Sequence, residues 1–480
     1  MNGVALGAPR SALARTGLTF ALGLCAIAAG AGVTAAATRL GVDRAPLALL
    51  ALGLAPLLIV GVLSRPLLGV ILVLAVFPIG SARLPTPVIE LKAVEVAVFA
   101  VGALVVLRRL SGGLHFLSWA PPLWWALALF GWTLAATPSA LDLSAAFKLI
   151  AIFLGGLVFV GVILSSLRDV EDVRWMLAAL VTVAAGIATV AISQGVRFQS
   201  LASGETVSGR LQGAFDQPNQ LGMFCAVSAA TAAGLVFAAR TRLGRIASIA
   251  ALATILVGLT LSLSRGAWVG SALAFLYLLL TLPEARRALL AFGIPVAIAA
   301  SVFGSFAPGQ TEIEVVSLRA HAITTLSPYD ARSAIYAEAL REITAHPLTG
   351  VGPGSFPVAS ERAGSQSITV FPDHAHDIWL TWGAEVGLPA VALIAAFAIS
   401  LGLAARRGAR GALRRGDRRD RALIAGPAAA LIAVLGQGIF DYPLRNAVLW
   451  MLVWCLVGAL LVCAREHGAF EPAARRPSAP

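Results

Sequence analysis

Asp373-His374-Ala375-His376-Asp377 sets two histidines between two aspartates, at the end of a polar insert in a chain that is otherwise apolar. Imidazole is the side chain best able to take or give a proton near neutral pH. Hydrocarbon has no use for that chemistry, and a solvated loop has no need to hold it beside a bilayer. The pattern points to catalysis at a membrane surface on a lipid-carried substrate. The rival chemistry is metal chelation: two histidines at i and i+2 with flanking aspartates can hold a cation if the segment is extended. On a helix they diverge, and no third ligand stands at a fixed spacing, so no metal site is expected.

The elements that must position these residues are membrane spans. The chain has 480 residues, of which 58% are hydrophobic and 12% charged, and its mean hydropathy is +0.86. Soluble domains carry about 25% charged residues, so a soluble multidomain protein is excluded. The net charge of +12 would suggest nucleic acid in a soluble protein. Here it reads as arginine in short loops, where it sets orientation, and no nucleic-acid partner is expected. Only Lys92 and Lys148 among the basic residues are lysine. Cys25, Cys225, Cys455 and Cys463 lie in apolar runs and read as small core residues, with neither a disulfide framework nor a metal site.

Apolar runs of spanning length fall near 16–37, 45–63, 66–80, 93–107, 119–136, 147–166, 175–193, 219–239, 246–263, 266–282, 288–306, 386–404, 422–439 and 447–464. The fold expected is an all-α polytopic membrane protein of about 12–14 transmembrane helices with one large helical extracytoplasmic loop. Residues 1–306 hold the first spans, 307–385 the large loop, and 386–480 the last spans and a short tail. The first run has no clear cleavage site and reads as a retained helix. With both termini cytoplasmic, the arginine-rich loops fall inside, including the cluster from Arg406 to Arg421. The segments near 194–218 and 307–385 then face outside.

Within the large loop, Ser327-Pro328-Tyr329-Asp330 reads as a helix start, and the helix stops near Ala345, before Pro347. Arg332 and Tyr336 share one side of it. His346 reads as a structural residue at its end. Gly350-Val351-Gly352-Pro353-Gly354 is expected to be a flexible turn; without a following Gly-Lys-Ser/Thr it is no phosphate-binding loop. Asp373 is expected to cap a second helix from about His374 to Val386, with His376 in its first turn and Gly387 ending it. Glu95 and Asp441 stand near span ends, and Asp441 is expected to pair with Arg445.

His376-Asp377-Ile378-Trp379-Leu380, running on to Gly387-Leu388-Pro389-Ala390, resembles the signature of the bacterial O-antigen ligase and polysaccharide polymerase superfamily. So does His346-Pro347-Leu348-Thr349-Gly350-Val351-Gly352. Gly209-Arg210-Leu211-Gln212-Gly213, with Pro218-Asn219-Gln220-Leu221-Gly222, and Ser264-Arg265-Gly266-Ala267 are similar to two further elements of that family, in the same order. Asp377 stands where the family usually has a neutral polar residue, and Ala390 where it has a second glycine.

The resemblance implies an inner-membrane glycosyltransferase working on the periplasmic side without a cofactor. It implies a metal-independent, inverting transfer from an undecaprenyl-diphosphate-linked glycan donor to a glycan or lipid A–core acceptor. His376 is then the candidate general base, and Arg210 and Arg265 the candidates for binding the diphosphate, since guanidinium forks match phosphate oxygens. Asp377, His374, Arg332 and Tyr336 are possible supports. Polysaccharide polymerase is the close alternative to ligase. A transporter of lipid-linked glycan would show charges within spans and two similar halves, and neither is evident. A structural partner in an envelope-assembly complex would leave His376 replaceable.

Overall fold

The computed structural model describes residues 58–84, 91–110, 120–195, 197–200, 206–288, 332–363 and 374–471. The spans expected near 16–37 and 288–306, most of that near 45–63, Cys25, the helix start at 327–330, Asp373 and the tail from Pro472 lie outside them. The chain divides into two compact units, Met1–Ser64 and Arg65–Pro480. Of the first, residues 58–64 are described and are helical.

In the second unit the apolar runs form α1 (Pro66–Val76), α2 (Ala93–Leu110), α3 (Leu123–Ala136), α4 (Leu143–Ser166), α5 (Val170–Gln194), α6 (Pro218–Ala238), α7 (Arg242–Leu261) and α8 (Arg265–Thr281). A short α9 (Pro283–Ala288) follows. The insert contributes α10 (Arg332–Ala345), α11 (Phe356–Ala363) and α12 (Ile378–Val386). The chain then closes with α13 (Leu388–Arg414), α14 (Arg418–Gly438) and α15 (Ala447–Glu466). Among the described residues, seven helices are long and apolar enough to cross a membrane, and this is an all-α polytopic membrane protein. Two small antiparallel hairpins interrupt the helices: β1 (Arg83–Leu84) with β2 (Leu91–Lys92), and β3 (Arg197–Ser200) with β4 (Thr206–Arg210).

Water does not drive helix association in hydrocarbon, so small residues that let backbones approach must hold the bundle. A Cβ on Gly234 would meet the Gly426 backbone, and one on Gly270 would meet the carbonyl of Ala433. These contacts lock α6, α8 and α14 together. At the centre Phe153 packs against Phe130, Trp382, Trp450 and Trp454, with ring centroids 5.3–6.1 Å apart.

The polar contacts sort into two ends. At one, Arg174 meets Asp420, Arg240 meets Glu171, Arg418 meets Glu284 and His467 meets Asp420. These are the arginine-rich loops that the positive-inside rule groups together. The insert, with His374 and His376, and the hairpins occupy the other end.

Candidate active site

Within the insert, a small apolar core of Ile335, Ala339, Phe356, Ala375 and Ala384 joins α10, α11 and α12. The glycine-rich turn is a clip and not a flexible segment, which corrects the expectation. Val351 N donates to Ala384 O at 2.8 Å, and Leu141 N and Asp142 N donate to Ser355 Oγ at 3.1 and 3.2 Å. Gly354 N and Phe356 N donate to the buried Glu385 carboxylate at 3.0 and 3.3 Å, and Arg445 completes its shell. Arg445 therefore pairs with Glu385 and not with Asp441 as expected. Gly387, at φ +88°, brings the start of α13 so close to the Leu348 carbonyl that no side chain fits.

α12 starts later than its sequence suggests. Asp377 caps it, its Oδ1 accepting from Leu380 N at 2.8 Å, and helix begins at Ile378. Asp377 thus serves the helix and not an imidazole, and burial pushes its carboxyl above the usual range. Asparagine or serine would cap as well, which explains why a neutral polar residue also suits this position. His376 precedes the helix and does not lie in its first turn. Its φ is +51°, and the only other described non-glycine residue with positive φ is Leu263, at +50°, two residues before Arg265. Such strain clusters at functional sites. Tyr336 Oη donates to the His376 carbonyl at 3.4 Å.

Freed from a helix, the two histidines converge instead of diverging. His376 Nδ1 lies 3.0 Å and His374 Nε2 3.2 Å from the same oxygen, Oδ1 of Asp441, and the two rings are 4.5 Å apart. Asp441 sits just beyond α14. Tyr442 N donates to the same Oδ1 at 2.9 Å, and Asn219 Nδ2 donates to Oδ2 at 2.7 Å. The carboxylate is almost fully buried, with 5% of its side chain exposed, while 29% of the His376 side chain is exposed. Burial alone would raise the Asp441 carboxyl, but the hydrogen bonds from His374 and His376 outweigh it and hold the group below the usual carboxylate range. Burial pushes the His374 imidazole below its ordinary value despite Asp441. Its Nδ1 is buried without a hydrogen-bond partner, as suits a neutral ring with the proton on Nε2.

The arginine element joins the same network. Arg210 donates from Nη2 to Asn219 Oδ1 at 2.6 Å and from Nε to the Ser262 carbonyl at 2.9 Å. Gln437 Nε2 donates to the Asn219 carbonyl at 3.0 Å. Arg210, Asn219, Asp441 and His376 therefore form one hydrogen-bonded chain. Arg265 opens α8 three residues past Ser262, behind its cap Ser264. Arg332 lies one turn before Tyr336 on α10. Sequence reasoning missed Asp441 as the centre of the site and Asn219 as its link. The signals were present: Asn219 lies in the quoted Pro-Asn element, and Asp441 is a rare acid near a span end.

Asp441 also supplies the third ligand that chelation lacked, since donor atoms of His374, His376 and Asp441 lie within 4.8 Å of one another. Beside the site, a cavity of about 570 Å³ begins at Ile378 and Trp382 and runs between α13, α14 and α15 to Arg406, Arg410 and Arg421 at the opposite end.

A buried carboxylate presenting a half-exposed imidazole, joined to an arginine at one end of a helical bundle, defines a multi-pass membrane protein with a candidate acid–base centre. Residues 250–395 match the family model described as O-Antigen ligase, and over that segment the chain is similar to this family. The matched segment contains Arg265, Tyr336, His376 and Glu385; Arg210, Asn219 and Asp441 lie outside it. No curated protein matches the chain.

Proposed function

We propose that the protein transfers a glycan from an undecaprenyl-diphosphate carrier to an acceptor hydroxyl on the periplasmic side of the inner membrane, as an O-antigen ligase. The observation that carries this reading is the hydrogen bond between His376 Nδ1 and the Asp441 carboxylate. The carboxylate keeps the proton on Nδ1, which leaves Nε2 to accept one, and it stabilises the imidazolium that forms. The acceptor oxygen attacks the anomeric carbon, its proton passes to Nε2, and the bond from that carbon to the diphosphate breaks with inversion. Arg210 and Arg265 balance the charge that grows on the leaving diphosphate. The apolar cavity gives the polyprenyl tail a path beside Ile378. The transfer is metal-independent in this reading: both Asp441 oxygens are occupied by hydrogen bonds, which a cation would have to displace. Polymerisation of lipid-linked repeat units uses the same centre with another acceptor.

Purified protein in lipid discs, supplied with lipid-linked repeat units, tests this beside His376→Ala. Transfer only after lipid A–core is added establishes a ligase, and a ladder without it establishes a polymerase. No transfer in either case overturns the proposal.

A further inference from the structure

The apolar cavity that begins at Ile378 ends among cations. Arg406 and Arg410 from α13 and Arg421 from α14 line it there. Arg406 and Arg410 stand one turn apart on the same face of α13, where like charges repel. Gly416, at φ +73°, turns the chain between α13 and α14, and Arg421 comes back to the same mouth. Its Nη2 donates to the Thr281 carbonyl at the end of α8, which holds the side chain beside the cavity. The acids of the adjoining turns are taken elsewhere. Asp417 caps α14, accepting from Arg419 N and Asp420 N at 3.0 Å. Asp420 meets Arg174 and His467, Glu284 meets Arg418, and Glu466 meets Arg465. Among the described residues no carboxylate forms an ion pair with Arg406, Arg410 or Arg421.

Orientation accounts for arginine somewhere between Arg406 and Arg421, and any position in that stretch would serve it. Arg414 and Arg419 belong to the same cluster and do not line the cavity. Orientation does not account for three arginines that converge from two helices on an apolar space. Small side chains give that space its width: Gly402, Ala405 and Ala409 on α13, and Ala425 and Ala428 on α14. Its length suits a lipid chain. Ile394 and Arg406 both line it, twelve residues and so about 18 Å apart along α13, whereas one leaflet contributes about 15 Å of hydrocarbon. A polyprenyl tail entering beside Ile378 would leave the three arginines without an anion, because its diphosphate stays at the opposite end. A lipid of the leaflet on the arginine side supplies both parts, a phosphate for the guanidinium forks and a chain for the cavity.

We propose that this cavity is a binding site for an anionic glycerophospholipid of the arginine-side leaflet, the cytoplasmic one by the positive-inside rule. The phosphate sits among Arg406, Arg410 and Arg421, and an acyl chain runs along α13 towards Ile394. The site does not depend on glycan transfer. In a transferase, the bound chain limits how far a carrier tail enters from the other end.

The test follows the unfolding temperature of the full chain in neutral detergent while phosphatidylglycerol or phosphatidylcholine is titrated. A ligand that binds the folded state raises that temperature. Phosphatidylglycerol is expected to raise it saturably, and phosphatidylcholine to leave it unchanged. Arg406→Gln with Arg410→Gln is expected to raise the half-saturating phosphatidylglycerol concentration by about tenfold or more. Arg414→Gln with Arg419→Gln removes the same charge from the same cluster away from the cavity, and should stay within about twofold. Gly402→Phe tests the chain: a Cβ there meets nothing within 4 Å, so the ring can fill the cavity without disturbing the helix, and binding should weaken by about tenfold. Equal stabilisation by the two lipids overturns the proposal. So does an equal loss in the two arginine pairs, which would make the attraction a diffuse one, or parental binding by Gly402→Phe, which would leave the cavity unused. Stabilisation by undecaprenyl phosphate but not by phosphatidylglycerol overturns it too, and assigns the cavity to the carrier alone.

Discussion

Replacing Asp441 by asparagine keeps its shape and removes one acceptor. The carboxylate receives His374, His376 and Tyr442 N on Oδ1 and Asn219 on Oδ2. An amide has a single acceptor oxygen. If that oxygen turns to Asn219, the amide N–H groups face the histidines, His376 must accept at Nδ1, and its proton moves to Nε2. The base is then in the wrong tautomer, a change that costs about 10³–10⁴ in turnover in a catalytic dyad of this kind, or about 4–5.5 kcal/mol of barrier. If the oxygen stays with the histidines, Asn219 must flip its own amide and lose the bond from Arg210. That is a charge-assisted contact of about 1.5–3 kcal/mol, felt as weaker donor binding. Either way kcat/KM for glycan transfer is expected to fall by at least about 100-fold, with thermal unfolding confirming that the variant is folded. A folded Asp441→Asn enzyme within about fivefold of the parent would refute the network as the source of the base.

His376→Gln is expected to lower turnover by about 10²–10⁴. His374→Gln, which retains an N–H donor for Asp441, should stay within about tenfold; equal losses in the two would mean that the base is misassigned. Arg210→Lys keeps the charge and loses the fork, so the donor KM is expected to rise by about 10–100-fold with a smaller change in kcat, in a titration of lipid-linked donor. Arg445→Ala strands the Glu385 carboxylate, of whose side chain 3% is exposed. It should cost about 3–5 kcal/mol of stability, seen as a lower unfolding temperature in detergent, and Glu385→Gln in the same background should restore part of it. Stripping the enzyme with a chelator is expected to leave the transfer rate within about twofold; loss of activity restored by one divalent cation would turn His374, His376 and Asp441 into a metal site.

The spans were legible because hydrocarbon imposes length and polarity on every segment that crosses it. The runs expected near 147–166 and 447–464 became α4 and α15, and the glycines needed for close packing were already in the chain. His376 and Arg210 were legible through the family resemblance. The residue that joins them was not: Asp441 is 65 positions from His376 and 222 from Asn219, and a lone acid near a span end has many ordinary explanations. The start of α12 was misjudged because Asp373 and Asp377 are both able caps. Choosing the second leaves His376 outside the helix, and only there can both histidines face one carboxylate. The glycine-rich turn was read as flexible because its partners, Glu385 and the Leu141 backbone, come from distant segments.

Release of the carrier is the most direct test of glycan transfer at His376. Lipid-linked glycan with a labelled carrier, incubated with the protein in discs and an acceptor, should yield one undecaprenyl diphosphate for each glycan transferred, and none with His376→Ala. If the glycan stays on its carrier while the protein in vesicles moves the intact lipid from one leaflet to the other, the protein is a transporter and the chemistry assigned to His376 is wrong.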